Sequence, residues 1–161
     1  MTAPFPWVYP YQEDGPRLGT VVLRPIVPIT LVGDDVAPTA LSLVDSGCEH
    51  VLAAPWLATA AGIDPDAGHR SLVLGIGGEN VQVRFVDMTL RLQAPGSDDD
   101  DFVEWQAEVG FLRHWRPTWQ VLVGQTGFMT RFTVSMSRHA QRVAVEDWDV
   151  MDRRFGVSYL T

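Results

Sequence analysis

The chain of 161 residues is predicted to fold as a single all-β domain. Three observations carry that expectation. Runs rich in β-branched and aromatic residues recur along the chain, clusters of Gly, Asp and Asn separate them, and only two short stretches read as helix. The hydrophobic fraction of 46% is enough to build one core at this length.

Taken in order, residues 5–19 mix aromatics with proline and then Gln12-Glu13-Asp14-Gly15-Pro16. They are expected to form an extended arm, although Phe5, Trp7, Tyr9 and Tyr11 alternate as they would on one strand face. Residues 21–32 are rich in Val and Ile, with Pro25 and Pro28 confining parts of the run to an edge or a bend. Gly33-Asp34-Asp35 then turns the chain into a strand over residues 39–44. Trp56-Leu57-Ala58-Thr59-Ala60-Ala61 predicts a short helix, with Pro55 near its start and Gly62 as its stop. Residues 71–74 and 81–92 flank Gly75-Ile76-Gly77-Gly78-Glu79-Asn80 as a hairpin with a flexible tip. Residues 102–111 alternate as a strand, with Val103, Trp105, Ala107 and Val109 on one face. Residues 112–119 form a loop in which Trp115 and Trp119 could line a groove. Residues 120–123 are a short strand, 126–132 a short helix, and 133–137 with 141–146 a final hairpin.

Composition narrows the range of partners. Twelve basic residues stand against 20 acidic ones, a formal charge of −8, and no basic cluster could follow a phosphate backbone. No nucleic acid partner is expected. No membrane partner is expected either, because no apolar run approaches the roughly 20 residues needed to cross a bilayer. Cys48 has no second cysteine to pair with, and residues 1–6 lack a basic segment followed by an apolar one, so a cytoplasmic location is the expectation. His50, His69, His114 and His139 show no metal-ligand spacing, and no metal or cofactor is expected. The acidic run Asp98-Asp99-Asp100-Asp101 lacks the spaced calcium-loop pattern and reads as solvated loop. Gly75-Ile76-Gly77-Gly78 lacks both the spacing and the Lys-Ser/Thr of a phosphate loop.

One stretch asks for a chemical explanation. The strand over residues 39–44 ends in Asp45-Ser46-Gly47, where the glycine permits a tight bend and the hydroxyl can bond nearby backbone. Such a tripeptide also serves as an ordinary turn. Downstream, in order, come Leu74-Gly75-Ile76-Gly77-Gly78 and Val121-Leu122-Val123-Gly124-Gln125. In this order the three segments resemble the retropepsin-like aspartic proteases, with Asp45-Ser46-Gly47 matching the Asp-Thr/Ser-Gly motif.

The resemblance implies a single-lobe, acid-protease-like closed β-barrel with one or two short helices and a flap hairpin. That domain would span residues 20–146, between the arm (1–19) and a C-terminal tail (147–161). It implies an aspartic endopeptidase acting on a peptide or protein substrate, with Asp45 catalytic and Ser46, Gly47 and Gly124 supporting it. Gly75, Ile76, Gly77 and Gly78 would form the flap over the substrate. Aspartic proteolysis needs two carboxylates sharing one proton, and the chain has one such motif and no internal repeat. The second Asp45 must therefore come from another copy, which makes a homodimer part of the hypothesis. Two departures stand out: Ser46 lacks the methyl of the common Thr, and Gln125 with Glu49 replaces an Arg–Asp pair, leaving a weaker neutral–charged hydrogen bond. Cys48 reads as a small buried residue. Two alternatives remain open: the same fold as a non-catalytic peptide-binding or dimerisation module, and an unrelated small barrel in which the three motifs are coincidental turns.

Overall fold

A computed structural model describes residues 5–17, 20–34, 36–74, 78–96 and 101–156. Its main sheet contains β4 (Ile26–Val32), β5 (Thr39–Val44), β6 (Val51–Ala53), β7 (His69–Leu74), β8 (Asn80–Gln93), β9 (Phe102–Leu112) and β10 (Val121–Val123). The order is β4-β5-β10-β6-β9-β8-β7, and β4 also pairs with β8. Six strands thus close into a ring, and β7 lies outside it as a second partner of β8. Closure removes the free edges on which open sheets aggregate. Most pairings are antiparallel, but β10 runs parallel to β5 and β6 runs parallel to β9. The expected all-β closed barrel is present.

Alternation decides which side chains fill the ring. Val27, Ile29 and Leu31 of β4 are fully buried, as are Leu90 and Leu92 of β8. Along β8 the buried positions change parity, from Val83 and Phe85 to Met88, Leu90 and Leu92. The first pair joins Leu52 in a small second cluster, flanked by Cys48, Leu112, Trp115 and Leu122, while the others fill the main core. One long strand therefore supplies both faces of the sheet. Gly110 of β9 lies beneath the second cluster, where a Cβ would crowd Leu52, Val83 and Phe85.

Pro25 divides the expected run over residues 21–32 into β3 (Thr20–Arg24) and β4. The helix α1 (Pro55–Ala60) starts on its proline, buries Leu57 and Ala58, and is followed by Gly62 at φ +75. A wide turn, Gln125–Met129, stands where a short helix was expected. It is kinked by extended Thr126 and by Gly127 at φ +92.

The N-terminal segment departs from the expected irregular arm. It forms β1 (Trp7–Pro10) and β2 (Gln12–Arg17). β1 pairs with β12 (Arg142–Asp147) of the same chain, and β12 pairs with β11 (Phe132–Ser137) to make a three-stranded sheet. The physical reason is the aromatic alternation: Trp7 and Tyr9 are 2% and 4% exposed, whereas Val8 between them is 43% exposed. Tyr9 Oη donates to the Gln93 carbonyl at 2.6 Å, and burial pushes the Tyr9 phenol pKa well up. β2 and β3 pair as a separate two-stranded ribbon. At the other end α2 (Val150–Phe155) is anchored by buried Val150. Arg154 forks onto the buried Glu146 carboxylate at 2.6 and 3.2 Å. The acidic residues Asp98, Asp99 and Asp100 lie outside the described residues, but Ala94 N–H donates to the Asp101 carbonyl at 2.8 Å across that loop.

If β1 is part of the core, Trp7→Ala should cost about 3–5 kcal/mol of unfolding free energy, as for other buried aromatic truncations. Phe155→Ala, at a site 67% exposed, should cost less than about 0.5 kcal/mol. Urea unfolding of the two variants checks this, and equal small effects would return residues 7–10 to the role of a peripheral arm.

Candidate active site

Asp45 stands at the end of β5, a strand held on both sides: by β4 (Ile26↔Leu43) and by β10 (Val123↔Val44). Its N–H donates to the Val123 carbonyl at 3.0 Å, and its own carbonyl accepts from Cys48 N–H at 3.1 Å. These two bonds fix the backbone of the acid. Gly47 N–H donates to Asp45 Oδ1 at 3.0 Å, so one carboxylate oxygen is oriented by the turn that follows it. Asp45 is half-buried, while Ser46 and Gly47 are exposed.

The segment after β10 locks this turn from the other side. Gln125 N–H donates to the Cys48 carbonyl at 2.9 Å and Thr126 N–H to the Glu49 carbonyl at 2.7 Å. So close an approach needs Gly124, where a Cβ would overlap the carbonyl oxygens of Cys48 and His50. The expected Gln125–Glu49 hydrogen bond is not the one formed. Gln125 Nε2 instead donates to the Ser46 carbonyl at 2.7 Å, and the Glu49 carboxylate accepts from Thr126 Oγ1 at 3.1 Å. An amide reaches a nearby backbone oxygen while a neighbouring hydroxyl serves the carboxylate, so the two motifs stay tied without an ion pair.

Asp45 opens onto a cavity of about 620 Å³ walled by Arg24, Leu43, Arg116, Thr118, Trp119 and Leu122. Asp14 also lines it and is paired with Arg24 at 3.5 Å. Trp115 Nε1 donates to the Trp119 carbonyl at 2.9 Å, which pins the loop forming one wall. Trp119 thus lines the groove as expected, and Trp115 braces it from below. Arg24 and Arg116 were not singled out from the sequence; the only signal for either was its position beside a proline. Ser46, Gly47, Cys48 and Glu49 line a second cavity of about 520 Å³ together with Met129 and Thr130. The hairpin β7–β8 is present, pairing Leu74 with Asn80. Of its expected tip residues, Gly75, Ile76 and Gly77 lie outside the described residues, and Gly78 has φ +81.

Cys48 donates its thiol to the His50 carbonyl at 3.1 Å. Burial is the main cause of a raised thiol pKa, and the Asp45 and Glu49 carboxylates push it further. Because folding favours the protonated thiol, this contribution to stability is present at neutral pH and is lost as pH rises through the alkaline range. His50 meets the Phe85 ring edge-on at 4.8 Å, tying the site to the second cluster. Among the described residues no group of three His, Cys, Asp or Glu is placed to hold a metal ion.

A scan against protein-family models finds no match, and a search of the curated proteins finds none. Among solved structures, the chain is similar to the crystal structure of a retropepsin-like aspartic protease from Rickettsia conorii. The identity is 14%, 90% of this chain and 96% of that one are covered, and the TM-score is 0.48.

Gly124→Ala should destabilise the protein by about 3 kcal/mol or more, since the new methyl meets backbone that cannot rotate away. Chemical denaturation measures the loss. Cys48 in the folded protein should react with a thiol-specific disulfide reagent at pH 7 about tenfold more slowly than in urea-unfolded protein, because less thiolate is present. Equal rates would contradict the burial described for it.

Proposed function

We propose that this protein is an aspartic endopeptidase whose catalytic dyad is formed by Asp45 from each of two identical subunits. The observation that supports it best is the Asp45 carboxylate. It is held by Gly47 N–H at 3.0 Å, at the mouth of a cavity of about 620 Å³, on a turn bonded to a second strand end. Fixed backbone on both sides is what a general acid–base group needs, since catalysis depends on geometry before basicity. Ser46 and Gly47 are exposed, which leaves the outer face of the turn available to a two-fold mate.

In the dimer one carboxylate takes a proton from a bound water as the water oxygen bonds to the scissile carbonyl carbon. The other gives the shared proton to the carbonyl oxygen, producing a tetrahedral diol. One carboxylate then gives its proton to the amide nitrogen while the other takes a proton from a diol hydroxyl, so that the carbonyl re-forms, the C–N bond breaks and the singly protonated dyad is restored. An extended peptide lying in the groove would gain main-chain hydrogen bonds as an added strand, with the β7–β8 hairpin folding over it. The hairpin tip at Gly75, Ile76, Gly77 and Gly78 would supply that cover, and residues 20–146 would form the catalytic unit.

Purified protein should cleave members of a diverse peptide library. Asp45→Asn should lower kcat/KM by about a thousandfold or more while leaving the circular dichroism spectrum unchanged. A statine-type transition-state mimic should block the wild type, and specific activity should fall on dilution as the dimer dissociates. Activity should also fall into alkali, where the shared proton is lost. Peptide binding that survives in both proteins without cleavage by either would identify a binding module instead.

A further inference from the structure

All 12 basic residues of this acidic chain are arginines. Most of those described have a partner: Arg24 with Asp14, Arg91 with Glu104, Arg153 with Asp149 and Arg154 with Glu146. Arg131 lies over the Phe132 ring, while Arg138 and Arg142 donate to backbone carbonyls. Among the described residues, Arg70, Arg113 and Arg116 have neither an ion pair nor a hydrogen bond. Two of these three meet Arg84 around one cavity of about 360 Å³, which is also lined by Pro55, Pro65 and Gln82.

The register makes this arrangement costly for the protein alone. Arg70 of β7 stands directly opposite Arg84 of β8, and like charges in that cross-strand position repel. Arg84 cannot swing away freely, because its Nη1 donates to the Gly68 carbonyl at 3.1 Å and its Nε lies 3.8 Å from Asp66 Oδ1. Among the described residues Asp66 is the sole acid lining the cavity, and its side chain is 74% exposed. Three guanidinium groups against one carboxylate leave an excess of positive charge, in a form suited to bidentate carboxylate recognition. Arg113 reaches this cavity from the same short loop that places Arg116 on the wall of the Asp45 cavity. Three residue steps span at most about 11 Å, so the two cavities share a lip within reach of one extended peptide.

We propose that the cavity of Arg70, Arg84 and Arg113 is a subsite for an acidic side chain. It would select substrates carrying Asp or Glu about two to four residues from the scissile bond. The proposal rests on the peptidase function of Asp45 for the position of the bond, while the acidic subsite itself is independent of catalysis. The half-buried prolines favour a peptide over a bare anion, since Pro55 and Pro65 can cover the methylenes of Glu.

Matched peptides differing by Glu or Gln at each position on either side of a cleaved bond provide the test. Wild type should lose about tenfold in kcat/KM on the Glu→Gln change at one of these positions, and the preference should shrink as salt is raised. The double variant Arg70→Glu, Arg113→Glu should abolish or reverse the preference while still cleaving the Gln peptide. Equal cleavage of the pair by wild type, or a preference retained in the double variant, overturns the subsite and leaves the peptidase standing. If nothing is cleaved, fluorescence anisotropy of labelled Glu and Gln peptides decides separately. Charge-dependent binding lost in the double variant supports the subsite while the peptidase function fails, and binding without charge dependence overturns it. Tighter binding of a labelled single-stranded oligonucleotide at the same arginines also overturns it.

Discussion

The site depends on one close backbone contact. Gly124, at the end of β10, passes against the carbonyls of Cys48 and His50 so tightly that no side chain fits between them. That approach lets Gln125 and Thr126 donate their N–H groups to the segment after Asp45, and it lets β10 run parallel beside β5. Two distant stretches are thereby fused into one rigid piece. An acid on a lone hairpin turn would fray; here the turn has bonds from its own glycine, from Val123 and from the 125–129 segment. Several bonds made within one short stretch hold the turn although Ser46 and Gly47 are exposed, and Gly47 N–H orients one carboxylate oxygen without a charged partner.

The barrel provides the foundation for that piece. β4 and β10 flank β5, and buried Val27 and Ile29 of β4, Ala40 and Val44 of β5, and Val121 and Val123 of β10 hold all three strands on the core. β8 serves both sides of the sheet because its buried positions change parity between Phe85 and Met88. Its distal half closes the ring, while its proximal half carries the hairpin and builds the second cluster against Leu52. The half with core on one face is held by β4 and β9, and the half paired with β7 and β9 leads to the hairpin proposed to cover the substrate.

Much of this architecture was readable in the sequence, for identifiable reasons. Alternation in residues 102–111 follows the pleat, so that strand and its inward Trp105, Ala107 and Val109 were apparent; the strand over 81–92 was apparent too, but not its change of parity after Phe85, and Pro55 with Gly62 marked the ends of α1. Asp45-Ser46-Gly47 alone reads as an ordinary turn, and it was legible only because Leu74-Gly75-Ile76-Gly77-Gly78 and Val121-Leu122-Val123-Gly124-Gln125 follow it in that order. The pairing of β1 with β12 was not, since local pattern shows that Trp7 and Tyr9 share a face but not which distant strand covers it. The choice made by Gln125 was hidden similarly: whether its amide meets Glu49 or the Ser46 carbonyl depends on the kink at Thr126 and Gly127, a backbone detail with no periodic signature. The opposition of Arg70 and Arg84 required the hairpin register, which a slip of one residue would have destroyed.

The central claim is that one catalytic centre needs an Asp45 from each of two chains, and subunit mixing tests it most directly. Wild-type and Asp45→Asn subunits are combined at fixed total concentration, allowed to exchange, and assayed across the mixing ratio. If the dyad is shared, activity follows the square of the wild-type fraction, so an equal mixture retains about one quarter of the wild-type rate. Activity linear in the wild-type fraction, about one half at equal mixing, would show that each chain works alone and would contradict the shared dyad.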